Sequence, residues 1–222
     1  MTTASTYDVA RMARPRGLDD PAWTALRPLA IALFHPRSSD HRPGVTARIG
    51  HSGERIHLRF AVDDRFVLSR QTELNAPVCT DSCVEFFVEP LPGLGYFNFE
   101  VNAGGTVHCS HIEDPTPIPG GFKKMDFLTR QELAEVGIAT TLPRVIDPER
   151  PDAVSWQLAL DIPVTVLAKR LRRELAPSGT WRANLYKCAD HSSHPHWASW
   201  APIGERLAFH VPDRFGELRF AP

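Results

Sequence analysis

In YFNFEVN, residues 96–102, the polar side chains Asn98, Glu100 and Asn102 fall at every second position. A strand directs successive side chains to opposite faces, so these three form one row while Phe97, Phe99 and Val101 form another. Two carboxamides and a carboxylate at about 6–7 Å spacing offer donors and acceptors together, which suits a polyhydroxylated ligand or a buried polar network. The same alternation gives further rows: Arg59 with Asp63 in ERIHLRFAVD, Glu85 with Glu89 in DSCVEFFVE, and Arg182, Asn184 and Tyr186 in WRANLYKC. If all four rows share a face, the guanidinium of Arg59 or Arg182 can fork onto Glu85 or Glu100, and each planar group can engage adjacent hydroxyls. An internally satisfied network that holds strand register uses the same residues, and the two readings differ in solvent access.

Other residues carry other chemistry. Trp197 and Trp200 in HPHWASW offer indole faces on which a sugar ring can lay its C–H side, whereas Trp156 and Trp181 fall within strand patterns and read as core. His191, His194 and His196 in HSSHPH, with Asp190 nearby, are candidate ligands for zinc or another transition metal. Pro195 keeps that stretch from presenting ligands at helical spacing, and no HExxH accompanies it. Asp63, Asp64 and Asp81 are hard oxygen donors that suit calcium, while turn chemistry explains Asp63-Asp64 equally well. Glu85 and Glu100 could serve as the two carboxyls of a glycosidase, so a metal-dependent or carboxylate-based hydrolase is the enzyme alternative. Arginines beside them would keep both ionised, against the raised pKa a general acid needs. No GxSxG, P-loop or dinucleotide fingerprint occurs.

The elements that must position these residues are mostly strands. Period-two apolar patterns run through 45–49, 54–63, 81–89, 96–108, 138–142, 154–160 and 181–188, with a turn at Gly104-Gly105. Twenty scattered prolines keep the regular elements short. The best helix candidate is PVTVLAKRLRREL, residues 163–175, and Thr129 with Glu132 has the spacing of a capping box before a shorter one. An all-β, antiparallel two-layer sandwich with one or two short helices outside it is the expected architecture. Residues 1–20 read as a flexible polar arm and 21–222 as a single domain.

With 25 basic against 26 acidic residues, nothing electrostatic draws the chain to nucleic acid or a membrane, and the oligomeric state is open. The first twenty residues lack the apolar core of a secretory signal, so the chain as written is expected in the cytoplasm. Cys79, Cys83, Cys109 and Cys188 match no zinc-ribbon or disulfide-scaffold spacing and read as free thiols.

DSCVEFFVEP followed by GYFNFEVNAGG resembles the paired strands of family-9 carbohydrate-binding modules and the wider group of DOMON-like sandwich domains. ERIHLRFAVDDRFV resembles an early strand of that group, and RANLYKCADHSSHPHWASWAPI with FHVPDRFGELRF resembles its closing segments. The resemblance implies a jelly-roll-like sandwich that binds a saccharide or other polyol without catalysis, clamped by aromatic rings while polar groups bind its hydroxyls. It also makes calcium the candidate ion, structural in some members. The ligand-binding set expected here is Arg59, Glu85, Asn98, Glu100, Asn102, Arg182, Asn184, Tyr186, Trp197 and Trp200. The weaker metal candidates are Asp63, Asp81, His191, His194 and His196.

Overall fold

Apolar side chains at every second position can all be buried only if the strands pack face to face, and the described residues do this with sixteen strands. The computed structural model describes residues 5–221. In chain order the strands are β1 (Thr6–Arg11), β2 (Leu29–Ala30), β3 (Leu33–Phe34), β4 (Gly44–His51), β5 (Arg55–Asp64), β6 (Val67–Ser69), β7 (Cys83–Glu89) and β8 (Tyr96–Asn102). They continue as β9 (Val107–Ile118), β10 (Gly121–Phe127), β11 (Gly137–Thr140), β12 (Ile146–Arg150), β13 (Val154–Pro163), β14 (Gly179–Cys188), β15 (Trp197–Ser199) and β16 (Gly216–Phe220). Two helices, α1 (Arg130–Ala134) and α2 (Val164–Leu171), lie among them.

The first sheet runs β10, β9, β8, β7, β14, β16, all antiparallel, and β15 with β3 continues along the edge of β14 where β16 ends. The second sheet runs β4, β5, β13, β11, with β2 on the free edge of β4. β1 ties the two together: Thr6–Val9 pair in parallel with β16, and Ala10–Arg11 in parallel with β4. The expected loose arm is thus corrected over Thr6–Arg11, because Tyr7 and Val9 enter the core and the Tyr7 hydroxyl donates to the Arg27 carbonyl at 2.6 Å. β6 and β12 form a separate ribbon.

Between the sheets, Val84, Phe86, Val88, Phe97, Phe99 and Leu185 of the first meet Ile49, Leu58, Phe60, Trp156 and Leu160 of the second. The architecture is an all-β sandwich. The turn from β8 to β9 requires glycine at both of its central positions. Gly105 has φ +87°, and a Cβ on Gly104 would overlap the Arg144 carbonyl oxygen and Ser69 Oγ.

The other side of the first sheet is also covered. Phe87, Tyr96, Ile112 and Tyr186 on its outer face pack under Ile203, Leu207, Phe209, Val211 and Phe215, which belong to the irregular segment between β15 and β16. Burial of a side chain such as Phe87 or Ile112 there contributes roughly 1.5–3 kcal/mol. Every residue of β7 and β8 is consequently buried, the polar row included.

The helices sit outside the sandwich. Thr129 caps α1 in a capping box with Glu132, and Arg170 of α2 forks onto the Glu132 carboxylate. α2 stops at Leu171, short of the expected residue 175, because Arg172 takes the left-handed conformation at φ +53°. Among the described residues no helix is long and apolar enough to cross a membrane.

Candidate functional site

Strand pairing turns the polar rows into a grid. Glu85 of β7 stands directly opposite Glu100 of β8, and the same rank continues to Tyr186 of β14 on one side and His108 of β9 on the other. The neighbouring ranks hold Asn184, Phe87, Asn98 and Ser110, and Cys188, Cys83 and Asn102. Two carboxyls directly across a ladder repel, so this pairing works against stability. Such a departure from the rules of a stable sheet is where a binding or reacting site is sought.

Three of the four expected rows therefore do share one face. The row of Arg59 and Asp63 does not. β5 pairs with β4 and β13 in the second sheet, which puts Arg59 opposite Ala159 and Arg48, away from both glutamates. Among the described residues no arginine forks onto Glu85 or Glu100. Arg182 instead reaches Glu89 at 3.3 Å and the Pro212 carbonyl at 2.6 Å, pinning the covering segment.

A cavity of about 310 Å³ opens above the glutamate pair, lined by Cys79, Glu85, Glu100, Cys188, Asp190, Trp197 and Leu207 to His210. Its floor comes from β7, β8 and the end of β14, one wall from the loops around Cys79 and Asp190, and its cover from the segment before β16. Glu85 is 2% exposed and Glu100 6%. Glu85 Oε1 accepts from the Cys188 thiol at 3.1 Å, and Glu100 Oε1 accepts from Asn98 Nδ2 at 2.7 Å. Among the described residues no donor reaches the second oxygen of either.

Burial, joined by the charge of Glu100, pushes the Glu85 carboxyl well above the usual carboxylate range; burial likewise raises Glu100. The premise that neighbouring arginines would keep both ionised is thereby corrected. Asp190 is raised too by burial, against the hydrogen bond it accepts from Trp197 Nε1 at 2.7 Å. His210 shares a 2.8 Å hydrogen bond with the Tyr96 hydroxyl, and burial holds its imidazole neutral with a pKa lowered to about 3.

The remaining expected ligand groups stand around this cavity without lining it. Asn98 accepts from Ser110 N and Oγ, both at 2.7 Å, and so orients Glu100. Asn102 is used up by Asp81, Gln71 and Thr106, and Asn184 by Ala201 and Leu185. Tyr186 stacks on Phe209 with ring centroids 4.0 Å apart and donates its hydroxyl to that residue's carbonyl, holding the cover down. Trp200 packs against the main core.

The histidine loop is put to a different use from the one expected. His196 is buried, its Nε2 lying 2.8 Å from the ammonium of Lys187, and His194 stacks on Phe66 while His191 is exposed. Lys187, wholly buried, lies 3.4 Å from Asp64. Burial alone would raise the Asp64 carboxyl, but Lys187 and a hydrogen bond from His41 together hold it well below the usual range. Asp63 accepts from Ser155 Oγ on the second sheet, and Asp81 from the amides of Arg70 and Gln71. None of the five metal candidates joins a three-ligand group. Among the described residues the one set of three His, Cys, Asp or Glu ligand atoms within 4.8 Å of one another is Cys83, Glu85 and Cys188.

Cys188 was legible in advance, since it continues the face of Arg182, Asn184 and Tyr186. Leu207 to His210 had no periodic signal.

Two structures from Caldicellulosiruptor kristjanssonii, a family-9 module with glucose and one with cellotriose, align at TM-scores of 0.63 and 0.64 with 10% and 12% identity. Both cover 97% of this chain, and 95% and 93% of their own. A protein from Bacteroides uniformis ATCC 8492, described as a candidate carbohydrate-binding protein, aligns at a TM-score of 0.84 and 29% identity over 99% of this chain and 100% of its own. No curated protein sequence matches the chain. The pattern of carbohydrate-binding family 9 runs through residues 24–220, from the helical turn before β2 to the last residue of β16, and the chain belongs to that family.

Proposed function

We propose that the protein binds a saccharide, non-covalently, in the cavity over Glu85 and Glu100. The observation that carries this is the pair of buried carboxyls, each with one oxygen turned to open space, beside the partly buried indole of Trp197. A carboxyl in either protonation state can bind a hydroxyl, and a fixed indole offers an apolar surface to the C–H side of a sugar ring. Trp197 is fixed by its bond to Asp190. At about 310 Å³ the cavity is at the small end of the roughly 300–1,000 Å³ typical of ligand sites, so a monosaccharide or a chain end fits better than an internal stretch of polymer. The family membership and the sugar complexes of the Caldicellulosiruptor modules support the same reading.

Calorimetric titration with a panel of mono- and oligosaccharides tests it. Saturable heat is expected from at least one, with Trp197→Ala weakening it about tenfold or more, or about 1.4 kcal/mol. A panel that gives no heat would overturn the proposal. The raised glutamate pair also favours a second reading, hydrolysis of a small glycoside with one carboxyl as general acid. Release of reducing sugar from the bound ligand during the titration separates the two.

A further inference from the structure

Elsewhere in the fold buried carboxylates are matched by the protein itself: Asp81 takes the amides of Arg70 and Gln71 and the Asn102 side chain, and others meet a cation at close range. Asp64 has Lys187 at 3.4 Å, Asp161 has Arg55 at 2.6 Å and His57 at 3.0 Å, Glu89 has Arg182 at 3.3 Å and Glu132 has Arg170. A smaller cavity of about 230 Å³ on the second sheet follows the same pattern, since its Asp161 is matched by Arg14, Arg55 and His57. The cavity of the first sheet breaks the pattern. It gathers three carboxyls, Glu85, Glu100 and Asp190, and no lysine or arginine lines it. Lys187 is the nearest lysine in sequence to Cys188, but its ammonium is already held by Asp64, His196 and the Cys188 carbonyl. His210, at 4.0 Å from Glu100, is neutral.

The unpaired oxygens point to the missing partner. Glu85 is 2% exposed, yet its Oε2 accepts from no described residue and faces the cavity, and Glu100 Oε2 is in the same position. Neither oxygen belongs to the sealed, unpartnered polar atoms of the fold, so each stays open to a donor that enters the cavity. A bare divalent ion is a poor match. Glu100 and Asp190 do not join the set of ligand atoms lying within 4.8 Å of one another, whereas oxygen donors close to about 2.0–2.6 Å around calcium or magnesium. A spread ring of acceptors around an indole suits an ammonium carried on a larger, hydroxylated frame, since an ammonium has three donors and its hydrogen bonds to carboxylates are the stronger, charge-assisted kind.

We infer that the ligand of this cavity is a saccharide bearing a protonated amine, an amino sugar, whose ammonium donates hydrogen bonds to Glu85, Glu100 and Asp190. This rests on the saccharide reading of the same cavity and narrows it to one class.

The test is calorimetry on the intact chain with glucosamine, galactosamine and mannosamine, each beside its neutral parent and its N-acetyl derivative, at a pH where the amine is protonated. The ring is the same within each series and only the C2 substituent changes, hydroxyl, ammonium or acetamido, with a charge on the amine alone. At least one free amine is expected to bind about tenfold tighter than both its uncharged counterparts. Glu85→Gln and Glu100→Gln, made singly and checked for folding by thermal melts, are each expected to remove most of that preference. Neutral sugars that bind as tightly as the amines in every series would overturn this inference and leave the saccharide reading standing. Silence from all nine would overturn this inference, while the saccharide reading falls only if the oligosaccharides are silent too. A preference that survives both substitutions would place the ammonium elsewhere and equally overturn the assignment.

Discussion

Glu85→Gln should make the protein more stable, by an amount that grows with pH. Glu85 and Glu100 are 2% and 6% exposed and directly opposite each other, and burial raises both carboxyls above the ordinary value of 4.5. Above that value the unfolded chain releases its protons while the folded chain keeps them, so the folded state binds more protons and stability falls as pH rises. The stabilisation from these groups is complete below about pH 4.5 and is lost as pH climbs toward their folded-state values. Each retained proton costs up to about 1.4 kcal/mol per pH unit. Glutamine removes one such proton from the balance and relieves Glu100 of a like-charged neighbour, so the variant's advantage should widen by up to that slope. For a chain of this length that corresponds to roughly 3–6 °C in Tm per pH unit. Glutamine keeps the volume of glutamate, and its Oε1 can still accept from the Cys188 thiol. Guanidinium unfolding of both proteins from about pH 4.5 to about pH 8 measures the difference. Curves that stay parallel across that range, or a variant less stable at the alkaline end, would refute the claim that these carboxyls are buried and short of a partner.

Asp64→Ala leaves the ammonium of Lys187 buried without its carboxylate, and chemical denaturation should register a loss of about 3–5 kcal/mol; a loss below about 1 kcal/mol would mean that water or His196 already carries that charge. Arg59→Ala should leave saccharide affinity within about twofold, because Arg59 belongs to the second sheet, and a tenfold loss by calorimetry would contradict that placement. Gly104→Ala forces a Cβ into the Arg144 carbonyl and should cost about 1–3 kcal/mol of unfolding free energy; an unchanged midpoint would mean the β8–β9 turn yields freely.

Much of the scaffold was determined locally, by the sequence itself. Alternation in β7 and β8 separated Val84, Phe86, Phe97 and Phe99 from Glu85, Asn98 and Glu100 because a strand has only two faces, whatever it pairs with. The capping box at Thr129 needed only a spacing of three residues. The extent of α2 was less legible, since its end depends on Arg172 turning left-handed within a continuous apolar stripe. Tertiary structure alone decided which strands became neighbours, and that removed Arg59 from the site while setting Glu85 opposite Glu100. It also decided that the irregular segment carrying Leu207 to His210 would close over the polar face. Alternation marks the sides of a strand but carries no information on its partners or its cover. The low-dielectric surroundings that raise the glutamate carboxyls and hold His210 neutral exist only once those distant segments meet.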